Sequence, residues 1–386
     1  MYKIPLGLYV HIPFCERKCN YCGFLSYEGQ TNDTIKEYVS SLIREIHLYK
    51  KEFEPMYETD SIFIGGGTPS ILDAEDAERL MGELTGMLDV PEAPEFTIEA
   101  NPNSLDSEKL QAYRRSGVNR ISLGVQSFND RILQSLGRLH TAREAENAFD
   151  MIKQTGPVDV NIDLMFGVPG QTMEDWKKDL DKAIELDPEH ISFYSLQLEE
   201  GTPFYENYRT GKMDLPDDDT ERKMYHYAVA RLEQAGYDHY EISNCAKPGR
   251  ECIHNIKYWD MADFLGLGAG ASSYINGARF KNCDEISKYI WLLDDGQMPL
   301  ELGTYHIDSR KDQMAVFCFT ALRKMEGIDL DYFEIMFDTN FFKAYRDKAE
   351  TILSYSKEGL LTISDTNIAL TEKGIDRSNE IMSEFV

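Results

Sequence analysis

The sequence has no long apolar run and comparatively few basic residues. None of its segments approaches the roughly 18 uncharged apolar residues that a membrane-spanning helix requires, and the first residues lack the apolar core of a secretory signal peptide. The 386 residues include 40 Lys and Arg against 67 Asp and Glu, so the formal net charge is −27. This excess of negative charge disfavours a nucleic-acid partner. We therefore expect a cytoplasmic protein that does not bind nucleic acid.

Cysteine is also scarce, since seven residues are too few for a disulfide framework in a chain of this length. Three of them, Cys15, Cys19 and Cys22, lie close together near the start of the chain. The other four are scattered through the second half: Cys245, Cys252, Cys283 and Cys318. Apolar residues make up 42% of the sequence, which excludes a disordered chain.

The first half of the sequence alternates short β-rich runs with amphipathic helical patterns. One helix is predicted after the N-cap residues at 31–33, because apolar residues recur at helical spacing from Ile35 to Tyr49. Six such β/α units predict a parallel sheet with right-handed crossovers. We therefore expect an α/β fold, namely a partial (β/α)6 TIM-like barrel. The predicted strands are Leu6–Ile12, Ser61–Gly65, Glu95–Ala100, Arg120–Gln126, Val158–Phe166 and His190–Gln197.

Polar or glycine-rich clusters follow the predicted strands. In barrels of this kind the chemistry gathers at the carboxyl ends of the strands. We therefore expect the groups from five successive strands to converge on one mouth. The clusters are His11–Cys15, Gly65–Pro69, Glu99–Pro102, Gln126–Asn129, and Asp163 together with Gly167–Gly170.

The alternation stops after about residue 236, and we predict three domains. Residues 1–236 form the barrel core, residues 237–308 a connecting segment that packs on the barrel, and residues 309–386 a small, mainly helical domain. A hairpin of Leu360–Thr362 and Ile368–Leu370 makes the last domain winged-helix-like. Residues 310–386 hold ten Lys and Arg against fourteen Asp and Glu, so this domain lacks the basic surface of a DNA-binding protein.

The segment Gly266–Ala271 imitates the G-x-G-x-x-A form of a dinucleotide-binding fingerprint. A true fingerprint follows a buried strand and opens a helix. Here the preceding residues make a poor strand, and Ser272–Asn276 makes a poor helix. We interpret the segment as backbone that approaches its neighbours closely beside the cofactor site.

The spacing Cys15-x3-Cys19-x2-Cys22 is typical of a cluster-binding loop. Three thiolates can hold three irons of a [4Fe–4S] cubane and leave the fourth iron open to a small molecule. A structural zinc site needs four ligands, and His11 is the available fourth ligand, although it lies inside a predicted strand. Three free buried cysteines are the remaining alternative.

This loop resembles the signature of the radical S-adenosylmethionine (SAM) superfamily. Further segments resemble the branch of oxygen-independent coproporphyrinogen III dehydrogenase and its relatives; they are Tyr9–Cys15, Gly65–Pro69, Gly124–Asn129 and Asn161–Gly167. The resemblance implies a [4Fe–4S] cluster held by the three cysteines, with SAM on the open iron. In that superfamily, one-electron reduction cleaves SAM into methionine and a 5′-deoxyadenosyl radical.

Within this branch the sequence is similar to the HemW family. Phe24 stands where the dehydrogenases carry a further cysteine, and their N-terminal extension has no counterpart before Cys15. His254–Trp259 matches the His-Asn-x-x-Tyr-Trp motif of HemW proteins. The resemblance implies a haem chaperone that binds one haem and passes it to acceptors such as respiratory enzymes. We expect a monomer or homodimer, with only peripheral membrane association through such partners.

The resemblance also implies site residues, and none of them is assigned a catalytic role. The turn beside the methionyl amino group of SAM comprises Gly65, Gly66, Gly67 and Thr68. Further SAM contacts fall on Tyr9, Tyr21, Glu99, Gln126, Arg138 and Asp163; taken singly, several of these are equally compatible with ion pairs or loop caps. Some of these positions bind a second SAM in the dehydrogenase, and that alternative stays open here.

His254 is the candidate haem ligand, because a neutral imidazole suits haem iron. The same histidine is also compatible with a packing and hydrogen-bonding role. Cys245 and Cys252 are rival ligands, which we interpret as packing residues. Two other functions stay open: oxidative decarboxylation of coproporphyrinogen, and radical chemistry on haem itself.

Overall fold

The computed structural model describes residues 3–89 and 94–386. The strands are β1 (Ile4–Ile12), β2 (Phe14–Cys15), β3 (Tyr27–Glu28), β4 (Tyr57–Gly66), β5 (Glu95–Ala100), β6 (Arg120–Gln126), β7 (Asp159–Phe166), β8 (His190–Ser195), β9 (Asp238–Glu241), β10 (Asn244–Ala246), β11 (Phe264–Leu267), β12 (Ser272–Ile275), β13 (Ala278–Lys281), β14 (His306–Ile307), β15 (Ile328–Asp329), β16 (Leu361–Ile363) and β17 (Asn367–Leu370).

The helices alternate with the strands in the first half and predominate after residue 309. They are α1 (Asn32–Phe53), α2 (Ala74–Thr85), α3 (Ser107–Arg115), α4 (Asp130–Leu136), α5 (Ala142–Thr155), α6 (Met173–Leu186), α7 (Pro203–Arg209), α8 (Asp218–Gln234), α9 (Ile253–Trp259), α10 (Ile286–Asp294), α11 (Arg310–Ala321), α12 (Leu330–Phe337), α13 (Phe341–Ala344), α14 (Ala349–Lys357), α15 (Glu372–Ile375) and α16 (Ser378–Ser383). Short 3-10 turns follow β4 and β5 at Pro69–Ile71 and Pro102–Ser104. In the described residues no helix is long and apolar enough to cross a membrane.

The central sheet has the strand order β14-β13-β12-β11-β1-β4-β5-β6-β7-β8-β10-β9. The strands from β11 through β8 pair in parallel, and those at both margins pair antiparallel. The sheet is open rather than closed. The prediction of a partial barrel with six β/α units is therefore confirmed: the predicted strands correspond to β1, β4, β5, β6, β7 and β8.

The second half contributes strands that the sequence analysis missed. β9 to β14 extend the sheet at both margins, and β11 pairs directly with β1. They are short, at two to four residues each, so their alternation of apolar and polar residues was too brief to detect. The proposed division near residues 236 and 308 stays a prediction.

The first predicted helix is confirmed and is capped as expected. The Thr31 side chain accepts a hydrogen bond from the backbone N–H of Thr34, and α1 buries the predicted apolar face, which includes Ile35, Leu42 and Ile46. This stripe packs against the sheet because its spacing places every member on one side of the helix.

The glycine-rich segment at the end of β11 approaches its neighbours closely, as expected, while its location beside the cofactor site stays a prediction. β12 follows it instead of a helix, so the dinucleotide-binding geometry is absent from residues 264–275. Gly268 has φ +98°, and a Cβ there would lie 2.6 Å from the Tyr38 hydroxyl oxygen. Only glycine fits such a position. The contact is with α1, behind β1.

A buried carboxylate ties this segment to α1 and α10. Glu45 is fully buried and accepts hydrogen bonds from the backbone N–H of Gly268 at 2.8 Å, from Asn282 Nδ2 at 2.6 Å and from the Tyr289 hydroxyl at 2.5 Å. Burial raises the pKa of Glu45 to about 7. Three donors offset the cost of burying this group. The sequence analysis did not single it out.

The C-terminal segment is mainly helical and includes the predicted hairpin. β16 and β17 form it, and β15 joins them in a three-stranded sheet. A cluster of aromatic rings fills the core between α11, α12 and α13: Phe317, Phe333, Phe337, Phe341 and Tyr345. This segment meets the barrel side of the chain through Arg323, whose guanidinium lies 4.4 Å from the centre of the Trp259 ring.

We predict that Glu45→Ala lowers the free energy of unfolding by about 3 kcal/mol, because it leaves the backbone N–H of Gly268 and the Tyr289 hydroxyl buried without this acceptor. Chemical denaturation followed by circular dichroism measures this loss. Glu37→Ala is the matched control, since Glu37 is exposed on the same helix. Equal effects of the two substitutions would contradict the assigned role of Glu45.

Candidate functional site

A cavity of about 710 Å³ lies inside the curved sheet. Its wall is built from alternate residues of the parallel strands, because side chains at i and i+2 share one face. β6 contributes Arg120, Ser122, Gly124 and Gln126 in this way. The predicted convergence of the strand-end clusters is borne out by this geometry, since all five contribute to the wall.

The three clustered cysteines lie at the mouth of this cavity. Cys15, Cys19 and Cys22 are free and partly exposed, and all three line the wall. The Thr68 hydroxyl lies 3.6 Å from the Cys15 sulfur, and Arg138 Nη1 lies 3.6 Å from the Cys19 sulfur. Both groups donate a hydrogen bond to a sulfur, and three thiols on one short loop can each bind one iron of a cluster. The donor set therefore fits an iron–sulfur cluster.

The zinc alternative finds no support in the described residues. His11 is already engaged at both ring nitrogens: Nδ1 lies 2.9 Å from the Tyr9 hydroxyl, and Nε2 lies 2.9 Å from the Leu25 carbonyl oxygen. Across residues 3–89 and 94–386, no three His, Cys, Asp or Glu side chains converge as ligands of a single ion. Three thiols around the cavity mouth suit an iron–sulfur cluster, because each thiol can bind a different iron.

The turn Gly65–Thr68 begins in the last two residues of β4 and faces the cysteine loop. Gly66 has φ +121°, and a Cβ on Gly67 would lie 2.7 Å from the Phe14 carbonyl oxygen and 3.0 Å from the Cys15 sulfur. Any larger residue would displace the loop. The turn therefore brings backbone up to the first cysteine at a distance that glycine alone permits.

Two partly buried carboxyl groups face the cavity beyond this turn. Glu99 Oε2 accepts a hydrogen bond of 3.1 Å from the backbone N–H of Gly66, while Asp163 accepts from Asn161 Nδ2 at 2.8 Å and from Ser122 Oγ at 3.0 Å. Burial first, and the charge of Asp163 second, raise the pKa of Glu99 to about 8. Burial also raises the pKa of Asp163. A cationic ligand would relieve both carboxylates.

Arg138 supplies positive charge to this wall. Its Nη2 donates to Asn101 Oδ1 at 2.9 Å and to the Gly124 carbonyl oxygen, while its Nε is buried without a hydrogen-bond partner. An orphaned donor of this kind fits a ligand with acceptor atoms. The guanidinium therefore joins the cysteine loop to the ends of β5 and β6.

The remaining predicted SAM contacts also line the cavity. Tyr21 lies near the mouth. The Tyr9 hydroxyl shares a hydrogen bond with His11, and its ring stacks on that of Phe63 with the ring centres 6.4 Å apart. Gln126 has φ 67°, an unusual left-handed conformation for a residue with a side chain. Such strain is concentrated at functional sites. All the residues proposed to bind SAM except Gly65 therefore line one cavity.

His254 lies at the opposite, deep end of the cavity, on α9. It is fully buried, with Nδ1 2.9 Å from Ser61 Oγ and Nε2 2.9 Å from the Tyr258 hydroxyl. Burial lowers its pKa to about 3, so the imidazole is neutral. Both ring nitrogens are engaged in hydrogen bonds, as expected for the packing and hydrogen-bonding role that was the alternative to iron ligation. Iron ligation by His254 would require one of these bonds to break.

Cys245 and Cys252 are buried and behave as packing residues. Burial raises the pKa of both thiols, to about 12 for Cys252. The Cys252 thiol donates to Glu95 Oε1 at 3.4 Å. These features match the interpretation of both cysteines as packing residues.

A second polar network behind Asp163 was missed from the sequence. Asn161 Nδ2 donates to Asp163 and Ser122, while Asn161 Oδ1 accepts from His190 Nδ1 at 2.6 Å and from Ser192 Oγ at 3.1 Å. The available signal was polar residues two apart on adjacent predicted strands. The network orients Asp163 into the cavity.

Comparison with known proteins identifies the family. The radical SAM superfamily matches residues 9–183, and the HemN C-terminal domain matches residues 308–377. The heme chaperone HemW of Lactococcus lactis is 38% identical over 386 residues, which is 100% of this chain and 98% of the relative. The heme chaperone HemW of Bacillus subtilis is 36% identical, covering 98% of each chain. The chain belongs to the HemW family.

A solved structure supports the HemW-type fold. Coproporphyrinogen III oxidase (HemN) from Escherichia coli, described as a radical SAM enzyme, superposes with a TM-score of 0.86 at 25% identity. The superposition covers 99% of this chain and 90% of that one. The predicted barrel and small C-terminal domain are therefore confirmed.

We predict that Gln126→Gly is more stable than Gln126→Ala by about 1 kcal/mol, which reverses the usual order of these residues in strands. The reason is that alanine retains the left-handed strain and glycine does not. Thermal unfolding of both variants measures the difference. A more stable alanine variant would show that position 126 does not hold this backbone conformation in solution.

Proposed function

We propose that this HemW-family protein is a haem chaperone that binds haem, a [4Fe–4S] cluster and SAM, and delivers haem to acceptor proteins. The observation that carries the proposal is the composition of the cavity mouth. Three thiols line it, and the position of the dehydrogenases' further cysteine is taken by Phe24, whose side chain is 70% exposed. Full-length relatives named heme chaperone support the same choice.

Cys15, Cys19 and Cys22 would hold the cluster, with donor groups of Thr68 and Arg138 directed at two of their sulfurs. Three protein ligands leave one iron open. When bound together, the cluster and SAM supply one-electron chemistry. In a chaperone they would regulate haem transfer rather than sustain turnover.

The SAM site would comprise the Gly65–Thr68 turn with Glu99, Arg138 and Asp163. A buried carboxylate is suited to an ammonium group, and a guanidinium is suited to a carboxylate. Tyr9, Tyr21 and Gln126 line the same space. This distribution of charge complements an amino acid moiety, which carries one group of each sign.

Haem would occupy the remaining cavity, and His254 is the candidate iron ligand at its deep end. Its neutral state favours metal binding. The acceptor would be a haem-requiring protein such as a respiratory enzyme. We infer cytoplasmic action with, at most, peripheral contact with a membrane through such partners.

We predict that alanine at Cys15, Cys19 or Cys22 abolishes most iron and sulfide incorporation, because two thiolates cannot hold the cubane. Anaerobic reconstitution followed by iron and sulfide analysis measures the loss. Cys318→Ala is the control, since that thiol is buried in the C-terminal core. Normal iron content in the Cys19 and Cys22 variants would refute the assigned cluster site.

We predict that SAM binding at pH 7 releases a proton from Glu99. With a pKa near 8 the carboxyl is mainly protonated before binding, and pairing with a cation lowers that pKa. Calorimetry of the reconstituted protein in two buffers of different ionisation enthalpy measures the release. Glu99→Gln should abolish the buffer dependence, whereas Glu78→Gln, at the surface, should not. A buffer-independent enthalpy in the unsubstituted protein would contradict the assignment.

The function itself is tested by two parallel anaerobic reactions of the reconstituted protein. One is a haem titration, and the other contains coproporphyrinogen III, SAM and a strong reductant. We expect stoichiometric haem binding with no loss of the porphyrinogen. Conversion to protoporphyrinogen would establish a dehydrogenase, and loss of the haem spectrum on addition of SAM and reductant would indicate chemistry on haem.

A further inference from the structure

The cavity continues below the layer of Glu99 and Asp163 to a floor that the proposed cluster and SAM sites do not use. The floor is closed by the start of α9, where His254 and Asn255 line the cavity together with Cys252. At the same depth, β5 and β6 contribute Thr97 and Arg120. The lower half of the cavity is therefore lined by polar groups.

Thr97 and Arg120 stand side by side on the floor. They are register partners on the adjacent parallel strands β5 and β6, and both line the cavity. The Thr97 side chain is fully buried, and its hydroxyl has no hydrogen-bond partner. A buried hydroxyl without a partner is uncommon, because losing its hydration costs free energy.

Arg120 carries a buried charge that its surroundings leave incompletely paired. It is 4% exposed, and Nη1 donates to the Arg250 carbonyl oxygen at 3.0 Å. Among the described residues no carboxylate oxygen lies within the 4.0 Å of an ion pair. Glu95, a nearby carboxylate, has both oxygens engaged by the N–H groups of Ile253 and His254.

The neighbouring histidine does not compete for an anion. His190 Nε2 lies 2.8 Å from the Tyr240 hydroxyl, and its Nδ1 is bound to Asn161. Burial, and then the charge of Arg120, lower the pKa of His190, so it is neutral. Arg120 is therefore the cation of this part of the wall.

We propose that Thr97 and Arg120 form a carboxylate-binding pair on the floor of the cavity. A guanidinium and an adjacent hydroxyl can donate to the two oxygens of one carboxylate. This proposal rests on the proposed function, in which haem occupies the cavity. The groups that Thr97 and Arg120 bind are then the propionate carboxylates of the haem. The site thus recognises the acidic edge of the tetrapyrrole while SAM occupies the mouth.

The experiment compares haem with its dimethyl ester, in which both propionates are neutral. Equilibrium titrations followed by absorbance give the affinity of each for the full-length protein. We expect the unsubstituted protein to bind haem about tenfold more tightly than the ester, and Arg120→Gln to lose this preference. Arg120→Lys, which keeps the charge, should restore part of it, and Arg115→Gln at the surface should leave it unchanged.

The Thr97→Val variant tests the pair even if the Arg120→Gln protein does not fold. The hydroxyl has no partner within the described protein, so its loss should not lower the melting temperature. We expect weaker binding of haem, by about threefold to tenfold, with unchanged binding of the ester. An unchanged preference in both variants overturns the pair while the chaperone function stands. Failure of the unsubstituted protein to bind haem overturns both.

Discussion

The site depends on one cation, the Arg138 guanidinium, whose charge favours the ionised form of Asp163. Its guanidinium reaches Cys19, Asn101 and the Gly124 carbonyl oxygen, so one side chain connects the cysteine loop with the ends of β5 and β6. Two carboxyl groups are partly buried in the same cavity, and loss of hydration raises the pKa of each. A wall that held only these acids would exclude an anionic ligand. With Arg138 the same wall presents groups of both signs.

The backbone geometry of the mouth is as restrictive as its charge. Gly67 admits no Cβ between the Phe14 carbonyl oxygen and the Cys15 sulfur, and Gly268 admits none beside Tyr38 on the other side of β1. Both faces of β1 are therefore packed against neighbouring backbone or side chains. Glu45 then fixes the Gly268 segment to α1 and α10. β1, the strand that leads to the cysteines, is therefore packed on both of its faces.

Sequence patterns predicted the parts of the fold that repeat and the parts of the site that carry a motif. The long parallel strands and α1 show their periodicity over six residues or more, so their positions were recoverable. β9 to β14 are too short to show it, and the pairs that attach them to the parallel strands, β10 with β8 and β11 with β1, join residues distant in sequence. Glu45, Thr97 and Asn161 were missed for a related reason: their significance lies in partners from other elements, which no local pattern records.

The motif His254–Trp259 has a structural explanation that does not depend on haem. His254 and Tyr258 close the floor by bonding to each other and to β4, while Trp259 packs under Arg323 from the C-terminal segment. Glu95 binds the first N–H groups of the same helix. Because both Glu95 oxygens accept hydrogen bonds there, Glu95 forms no ion pair with Arg120, although its negative charge raises the pKa of the guanidinium. The helix therefore closes the cavity and also preserves the cation that an acidic ligand edge would meet.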